Sequence, residues 1–286
     1  KRGDTRQKDG VAPLGFLQVL SRGEVPRPEK GRSAIADWIT DTEAGAGHLL
    51  ARVIVNRIWQ HYLGEGIVAT PNDFGLQGEE PSHPGLLDWL ALELIQNDWS
   101  LKHIHRLILN SDAYKAVRKP RRLEAEVIRD NALAVSELLD EKMYGAGTLN
   151  EGMLRRSIYF MIKRSKLVPM MQVFDAPEPL VSQGSRPSTT IAPQALTFMN
   201  SPHVRKYAEG LAGRIGSGKS IEEAVDKGFQ IALGRPPNKI ERLENAAFVK
   251  EQMQSYEKAD SKNARAAALA DFCQILMSLN EFAYVE

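Results

Sequence analysis

The stretch Arg52 to His83, RVIVNRIWQHYLGEGIVATPNDFGLQGEEPSH, decides the fold. Its first part repeats apolar residues at helical spacing. At 100° per residue, Leu50, Ile54, Ile58 and Tyr62 form one stripe, widened by Ala51, Val55 and Trp59. Arg52, Asn56 and Gln60 form a polar line on another face. This pattern predicts a helix over His48–Leu63, stopped by Gly64 or Gly66, either of which can take a positive φ. A polar loop rich in glycine and acidic residues then runs to Pro81. It is too long and varied to be a mere connector, and such loops are where function concentrates. Ser82 or His83 caps the next helix, Pro84–Gln96, with Pro84 near the first position, where its missing N–H costs nothing. Leu86, Leu87, Trp89, Leu90, Leu92, Leu94 and Ile95 make that helix apolar almost all round, the pattern of a central buried helix.

Helical signals continue in both directions. They predict helices over Arg32–Thr40, from Ser100 to about Asn110, and over Asp112–Lys115 and Arg121–Asp140. Further helices are expected over Ile191–Met199 with Thr190 as cap, from Ser201-Pro202 to Gly213 or Gly216, and over Ser220–Leu233, Lys239–Glu257 and Ser261–Asn280. Arg156–Lys163, RSIYFMIK, is strand-like in composition, but no second convincing strand exists to pair with it, so it reads as irregular or short helix. The expected architecture is all-α, an irregular multi-helix core with long polar loops. An extended N-terminal arm, 1–47, packs on a main core, 48–214, which carries loops 67–83 and 175–191. A helical bundle, 215–286, completes the chain.

Composition narrows the function classes. Of 286 residues 43% are hydrophobic and 26% charged, which suits a globular protein with a sizeable core. Lys and Arg number 37 against 36 Asp and Glu, so no overall field steers nucleic acid or an acidic surface to the chain. The best basic run, Arg118–Arg122, is short. The single cysteine, Cys273, excludes an internal disulfide, a haem-attachment motif and a cysteine zinc site. Its apolar neighbours Phe272, Ile275 and Leu276 predict a buried, inert thiol. No apolar run is long enough to span a membrane, and the polar start KRGDTRQKDG is not a signal peptide. The protein is therefore expected either to stay unexported or to begin after processing.

Two loops hold the candidate chemistry. The first offers Asp73, Glu79, Glu80, Ser82 and His83. A carboxylate beside a histidine raises its basicity and fixes its tautomer, as general-base catalysis requires. Equally, Asp73 and Ser82 can satisfy loop and helix-start amides while His83 packs on Trp89 or Trp59. Asp73-Phe74-Gly75 spells a kinase magnesium motif, but the glycine-rich loop, strand lysine and His-Arg-Asp loop that belong with it are missing. The second loop, Asp175–Ile191, sets Arg186 beside Ser188, Thr189 and Thr190 ahead of a helix start, a pattern suited to an anion. The alternative is an Arg186 paired with an internal acid such as Asp175. His103 and His105 are two apart and point to different faces of a helix, so they make a poor metal pair, and no metal site is expected. Arg122, Glu126 and Arg129 read as a solvated or inter-helix ion-pair face.

Several unusual strings recur in order along the chain. They are Arg2-Gly3-Asp4, Ala51-Arg-Val-x-Val-Asn56-Arg57-Ile-Trp59-Gln60, Gly66-Ile-Val-x-Thr-Pro-Asn-Asp73-Phe74-Gly75, and Gln77-Gly78-Glu79-x-Pro81-Ser82-His83-Pro84. Leu86-Leu-Asp88-Trp89, Arg122-Leu-x-Ala-Glu126-x-Ile-Arg129-Asp130, Phe174-Asp175-x-Pro177, Pro193-Gln194-Ala195-Leu196, Leu233-Gly234-Arg235-x-Pro237 and Asn280-Glu281-Phe282-x-Tyr284 follow. With them the chain resembles the planctomycete PSD-type C-terminal domain, domain of unknown function 1553, over nearly its whole length. The segment Lys115–Arg121 is shorter than in that family, which usually carries an insert there, and Tyr144–Gly152 is short too.

The resemblance implies an extracytoplasmic setting, periplasmic or at the cell surface, in large exported proteins of bacteria that degrade complex polysaccharides. It implies two partners, a sister domain of unknown function and a c-type cytochrome domain. It implies no cofactor within this chain and haem only in the partner domain. This chain carries neither partner and is expected to be the C-terminal piece alone.

Two functional readings follow. In one the chain is a binding or docking module, for a glycan or for a cytochrome-bearing partner, with no nucleic acid and no membrane span. In the other it is a hydrolase or lyase on an anionic sugar, with His83 as base, Asp73 as its orienter and Arg186 as anion clamp. Both use one polar face, expected to gather Asp73, His83, Asp175, Arg186 and Thr189 with Asn56 and Arg57 near its floor.

Overall fold

The computed structural model describes residues 10, 15–21, 31–116, 120–216, 220–259 and 262–285. Most of the expected arm over 1–32, with Arg2-Gly3-Asp4, lies outside the described residues, as do two residues of the Arg118–Arg122 run. The described residues form thirteen α-helices and one short two-stranded ladder, so the fold is all-α. The chain divides into two compact units, Lys1–Val117 and Arg118–Glu286, each with its own apolar core.

The first unit contains α1 (Gly31–Thr40), α2 (Gly47–Leu63), α3 (Pro84–Gln96), α4 (Leu101–Asn110) and α5 (Asp112–Ala116). Helix α2 buries Ala51 and Val55 and packs on α3 and α4. Its core partners are Leu87, Leu90, Ala91 and Leu94 of α3 and Ile104 and Ile108 of α4. Ile67 and Val68 from the loop after α2 complete this core. Gly64 stops α2 at φ 90° while its N–H donates to Gln60 O at 2.8 Å. Phe16 stacks on Trp38 of α1 with ring centroids 4.9 Å apart.

Two expectations need correction here. Helix α3 is not buried all round, since Trp89 and Leu92 are 46% and 44% exposed on its outer face. Its helical spacing leaves one side free even though the sequence is apolar there. Neither Ser82 nor His83 caps α3 with a side chain. Ser82 turns inward instead, its N–H donating to Ile67 O at 2.8 Å and its hydroxyl to the same oxygen at 3.1 Å.

The second unit contains α6 (Ala125–Val135), α7 (Pro169–Val173), α8 (Ala192–Asn200), α9 (Pro202–Gly216), α10 (Ile221–Leu233), α11 (Lys239–Lys258), α12 (Ala264–Ser278) and α13 (Asn280–Ala283). Helix α12 is its axis and packs on α8, α9, α10 and α11. Ala268, Leu269, Phe272, Cys273, Leu276 and Met277 are buried there. Burial pushes the Cys273 thiol well up, which makes it an inert core atom. The cluster runs from Ala125 to Ala283, across position 214, because α9 and α12 share one interface. Helix α10 starts on a reciprocal cap, Glu223 N–H to Ser220 Oγ at 3.1 Å and Ser220 N–H to Glu223 Oε2 at 3.3 Å.

The expected helix Arg121–Asp140 is shorter. Arg121 and Arg122 pair antiparallel with Val285 and Tyr284 as a two-stranded ladder. At the other end Glu137 takes φ 58° and the helix stops at Val135. Arg156–Lys163 is irregular around a 3-10 turn, Ser157–Tyr159.

Candidate functional site

The loop after α2 is assembled from its own polar groups. Asn56 is wholly buried, and its amide grips one residue from both sides. Nδ2 donates to Val68 O at 3.0 Å, and Oδ1 accepts from Val68 N–H at 2.8 Å. The residue read as part of a polar line on α2 is thus a clamp. Arg57 Nη2 reaches Asn72 Oδ1 at 3.1 Å.

Further along, Thr70 Oγ1 donates to Asp73 O and accepts from Glu79 N–H, both at 2.9 Å. Asp73 Oδ1 accepts from Gly75 N–H at 2.8 Å, and Gly78 N–H donates to Gly75 O at 3.0 Å. Gly78 is required because a Cβ there would stand 2.1 Å from Asp73 O. Phe74 packs on the core of the unit.

Leu76, two residues on, is fully exposed at 102%. Glu79, Glu80 and His83 are exposed beside it in sequence. His83 Nδ1 lies 3.1 Å from Ser82 Oγ, and no hydrogen bond or ion pair joins His83 to Asp73 among the described residues. The carboxylate–imidazole couple that general-base chemistry needs is not formed. Asp73 is spent on holding its own turn. Leu76 was missed by sequence reasoning, although an apolar residue isolated between glycines in a polar loop was the available signal.

The second loop, 175–191, belongs to the other unit. Arg122 Nη2 donates to Asp175 Oδ2 at 2.6 Å and to Phe174 O at 3.4 Å, and Nη1 donates to Thr189 O. Thr189 N–H and Oγ1 both donate to Asp175, at 2.8 and 2.9 Å. Gln194 Nε2 ties Val173 O and Thr189 O at 3.0 Å each. Asp175 therefore joins the two ends of the loop, and it does so at φ 60°, a left-handed conformation. Burial opposes its ionisation, but the hydrogen bonds from Arg122 and Thr189 outweigh that and hold the carboxyl below the usual range. Arg186 does not pair with Asp175. Its Nη1 meets Glu126 Oε2 at 2.6 Å and its Nε lies 3.5 Å from Glu124 Oε1. An incoming anion would have to compete with both acids.

Of the two readings of Arg122, Glu126 and Arg129, solvated face or inter-helix ion-pair face, the first does not hold, and the pairs that Arg122 and Glu126 form run to the loop 175–191. Arg122 is paired inward, Glu126 meets Arg186, and Arg129 is wholly buried. Arg129 Nη1 donates to Arg155 O at 3.0 Å and Ser157 Oγ at 3.1 Å, and Nη2 donates to Met153 O. Its guanidinium sits 4.6 Å from the Phe160 ring centroid. Desolvation lowers its pKa.

His103 Nε2 lies 2.8 Å from Glu93 Oε2, and Tyr62 Oη 2.9 Å from His105 Nδ1, so both histidines serve helix packing. Among the described residues no group of three or more His, Cys, Asp or Glu is gathered for a metal, and no helix is long and apolar enough to cross a membrane.

A family model described as a protein of unknown function (DUF1553) matches residues 31–120 and 115–249. The two matches meet where the two compact units meet. No curated protein and no solved structure matches the chain. On the extent of the family match, the chain belongs to the DUF1553 family of proteins of unknown function.

Proposed function

We propose that this chain is a docking module, acting outside the cytoplasm beside a sister domain and a c-type cytochrome domain in proteins that break down polysaccharide. The observation that carries this reading is the loop 67–83. Thr70 and Asp73 are consumed in holding its backbone, and what it turns outward includes Leu76 with Glu79, Glu80 and His83. A rigid loop that displays an apolar side chain among charges has the make-up of a recognition element, because its ordering entropy is lost before binding. A leucine left fully exposed in its own fold gains most from a pocket on a partner. The enzyme reading finds less support, since His83 pairs with the Ser82 hydroxyl and, among the described residues, with no carboxylate.

The test is binding of the purified chain to the sister domain, to the c-type cytochrome domain and to a panel of sulfated and uronic-acid glycans. Leu76→Asp, His83→Ala and Arg186→Ala are compared with the unaltered chain. The docking reading expects a protein partner and at least a tenfold loss for Leu76→Asp. Turnover of an anionic glycan that vanishes in His83→Ala would replace it with the enzyme reading.

A further inference from the structure

We propose that the second unit carries a peripheral contact site for an anionic lipid surface, built from segments 142–148 and 155–166. The two segments are held together by hydrogen bonds. Thr148 N–H donates to Tyr159 O at 3.0 Å and Met161 N–H to Thr148 O at 2.9 Å. Arg155 Nε donates to Lys142 O at 3.1 Å and its Nη2 to Tyr144 O at 2.5 Å. Its guanidinium lies 3.5 Å from the Tyr159 ring centroid.

The pair is bolted to α6 from beneath. Ser157 N–H and Oγ both donate to Asp130 Oδ1 at 2.7 Å, and Arg129 binds the carbonyls of Arg155 and Met153. The residues displayed are therefore fixed in place by buried polar bonds and are not the chance content of a loose loop.

What this assembly displays is apolar. Ile158 and Ile162 are each 74% exposed, Tyr144 77%, Met143 64% and Met161 48%. Contiguous exposed apolar surface on a folded protein marks a contact with another phase or molecule. Exposures this high mean that the side chains project, as insertion between headgroups requires.

Charge selects the surface they meet. Residues 155–166 hold five cations and no anion in a chain whose net charge is only +1. Arg156 lies 3.6 Å from Asp130 and Arg155 is tied to the carbonyls of Lys142 and Tyr144, while Lys163, Arg164 and Lys166 are exposed and carry the outward charge. The first segment, 142–148, holds no acid; of the two that precede it, Asp140 is engaged by Lys142 N–H at 3.0 Å. Projecting isoleucine and methionine flanked by Lys and Arg, with a tyrosine at the margin, is the chemistry of a protein edge seated at an anionic headgroup layer. A second copy of the chain would bring the same cations face to face.

The experiment is co-sedimentation of the full chain with phosphatidylglycerol–phosphatidylcholine vesicles and with phosphatidylcholine vesicles. Two variants are run alongside, Ile158→Ser with Ile162→Ser, and Lys163→Gln with Arg164→Gln and Lys166→Gln. All of these side chains are exposed, and thermal unfolding confirms that the variants are folded. The proposal expects at least tenfold stronger binding to the anionic vesicles. Binding should weaken about tenfold between roughly 0.1 and 0.5 M salt as charges are screened. Each variant should lose at least fivefold.

Ile162→Cys supplies an independent readout, because Cys273 is buried and the new thiol alone takes an environment-sensitive dye. Its emission should shift to the blue on anionic vesicles. Equal binding to both vesicle types, no binding to either, or binding lost only in the charge variant without a dye shift would each overturn the proposal. Capture of an acidic protein domain at this site without vesicle binding would overturn it as well. None of these results bears on Leu76, which the docking test addresses separately.

Discussion

Asn56 and Val68 share two hydrogen bonds, 2.8 and 3.0 Å long, that fix a loop residue to the middle of α2. An amide side chain matches a peptide group in both polarity and spacing, so the pair acts as a piece of ladder where no strand exists. Asn56→Ala leaves the Val68 N–H and C=O without partners in a dry site, which costs about 2–4 kcal/mol. Asn56→Asp keeps the shape but turns one donor into a second acceptor against Val68 O, and should be at least as damaging. Urea unfolding of the two variants checks both. A loss below about 0.5 kcal/mol for Asn56→Ala would mean the clamp contributes little.

Arg129 is the corresponding fixture of the second unit. Arg129→Met removes the donor to three loop groups and leaves them buried, and a loss of about 3–5 kcal/mol is expected. Hydrogen exchange should rise first in residues 153–161, which hang on that guanidinium. Uniform exchange across the unit would contradict a local role.

Asp175 makes stability depend on pH in a defined direction. Its pKa is depressed in the folded chain. Its contribution is therefore fully present above the unfolded value of about 3.9 and lost as pH falls through the lower, folded value. Asp175→Asn keeps the left-handed backbone accessible and removes the charge. The gap in urea midpoint between the unaltered chain and this variant should be constant from about pH 7 to 5 and shrink below about pH 4. Glu241, held near 2 by the Arg235 hydrogen bonds and by Asn238 N–H, titrates in the same direction but is common to both proteins and cancels. A gap that widens on acidification would refute the assignment.

The helices were legible because their signals are local. Pro84–Gln96 was read to the residue, since Pro84 marks one end and the apolar run marks its extent. The site was less legible, because side-chain identity does not reveal direction. Asn56 and Arg129 belong to apparent polar lines on helices, yet both are wholly buried. What turns them inward is a carbonyl or amide supplied by a distant segment. Arg121-Arg122 looked like a helix start, but its partner is Tyr284-Val285 at the other end of the chain. Asp98, Trp99, Glu137, Tyr144 and Asp175 take positive φ without being glycine, so the turns they make leave little trace in composition.

Binding of Leu76→Asp to the sister domain tests the central claim most directly. Leu76 is fully exposed, so the variant should unfold at the same temperature as the unaltered protein. It should also bind the sister domain at least tenfold more weakly. Undiminished binding by a folded Leu76→Asp chain would contradict the docking role of the loop.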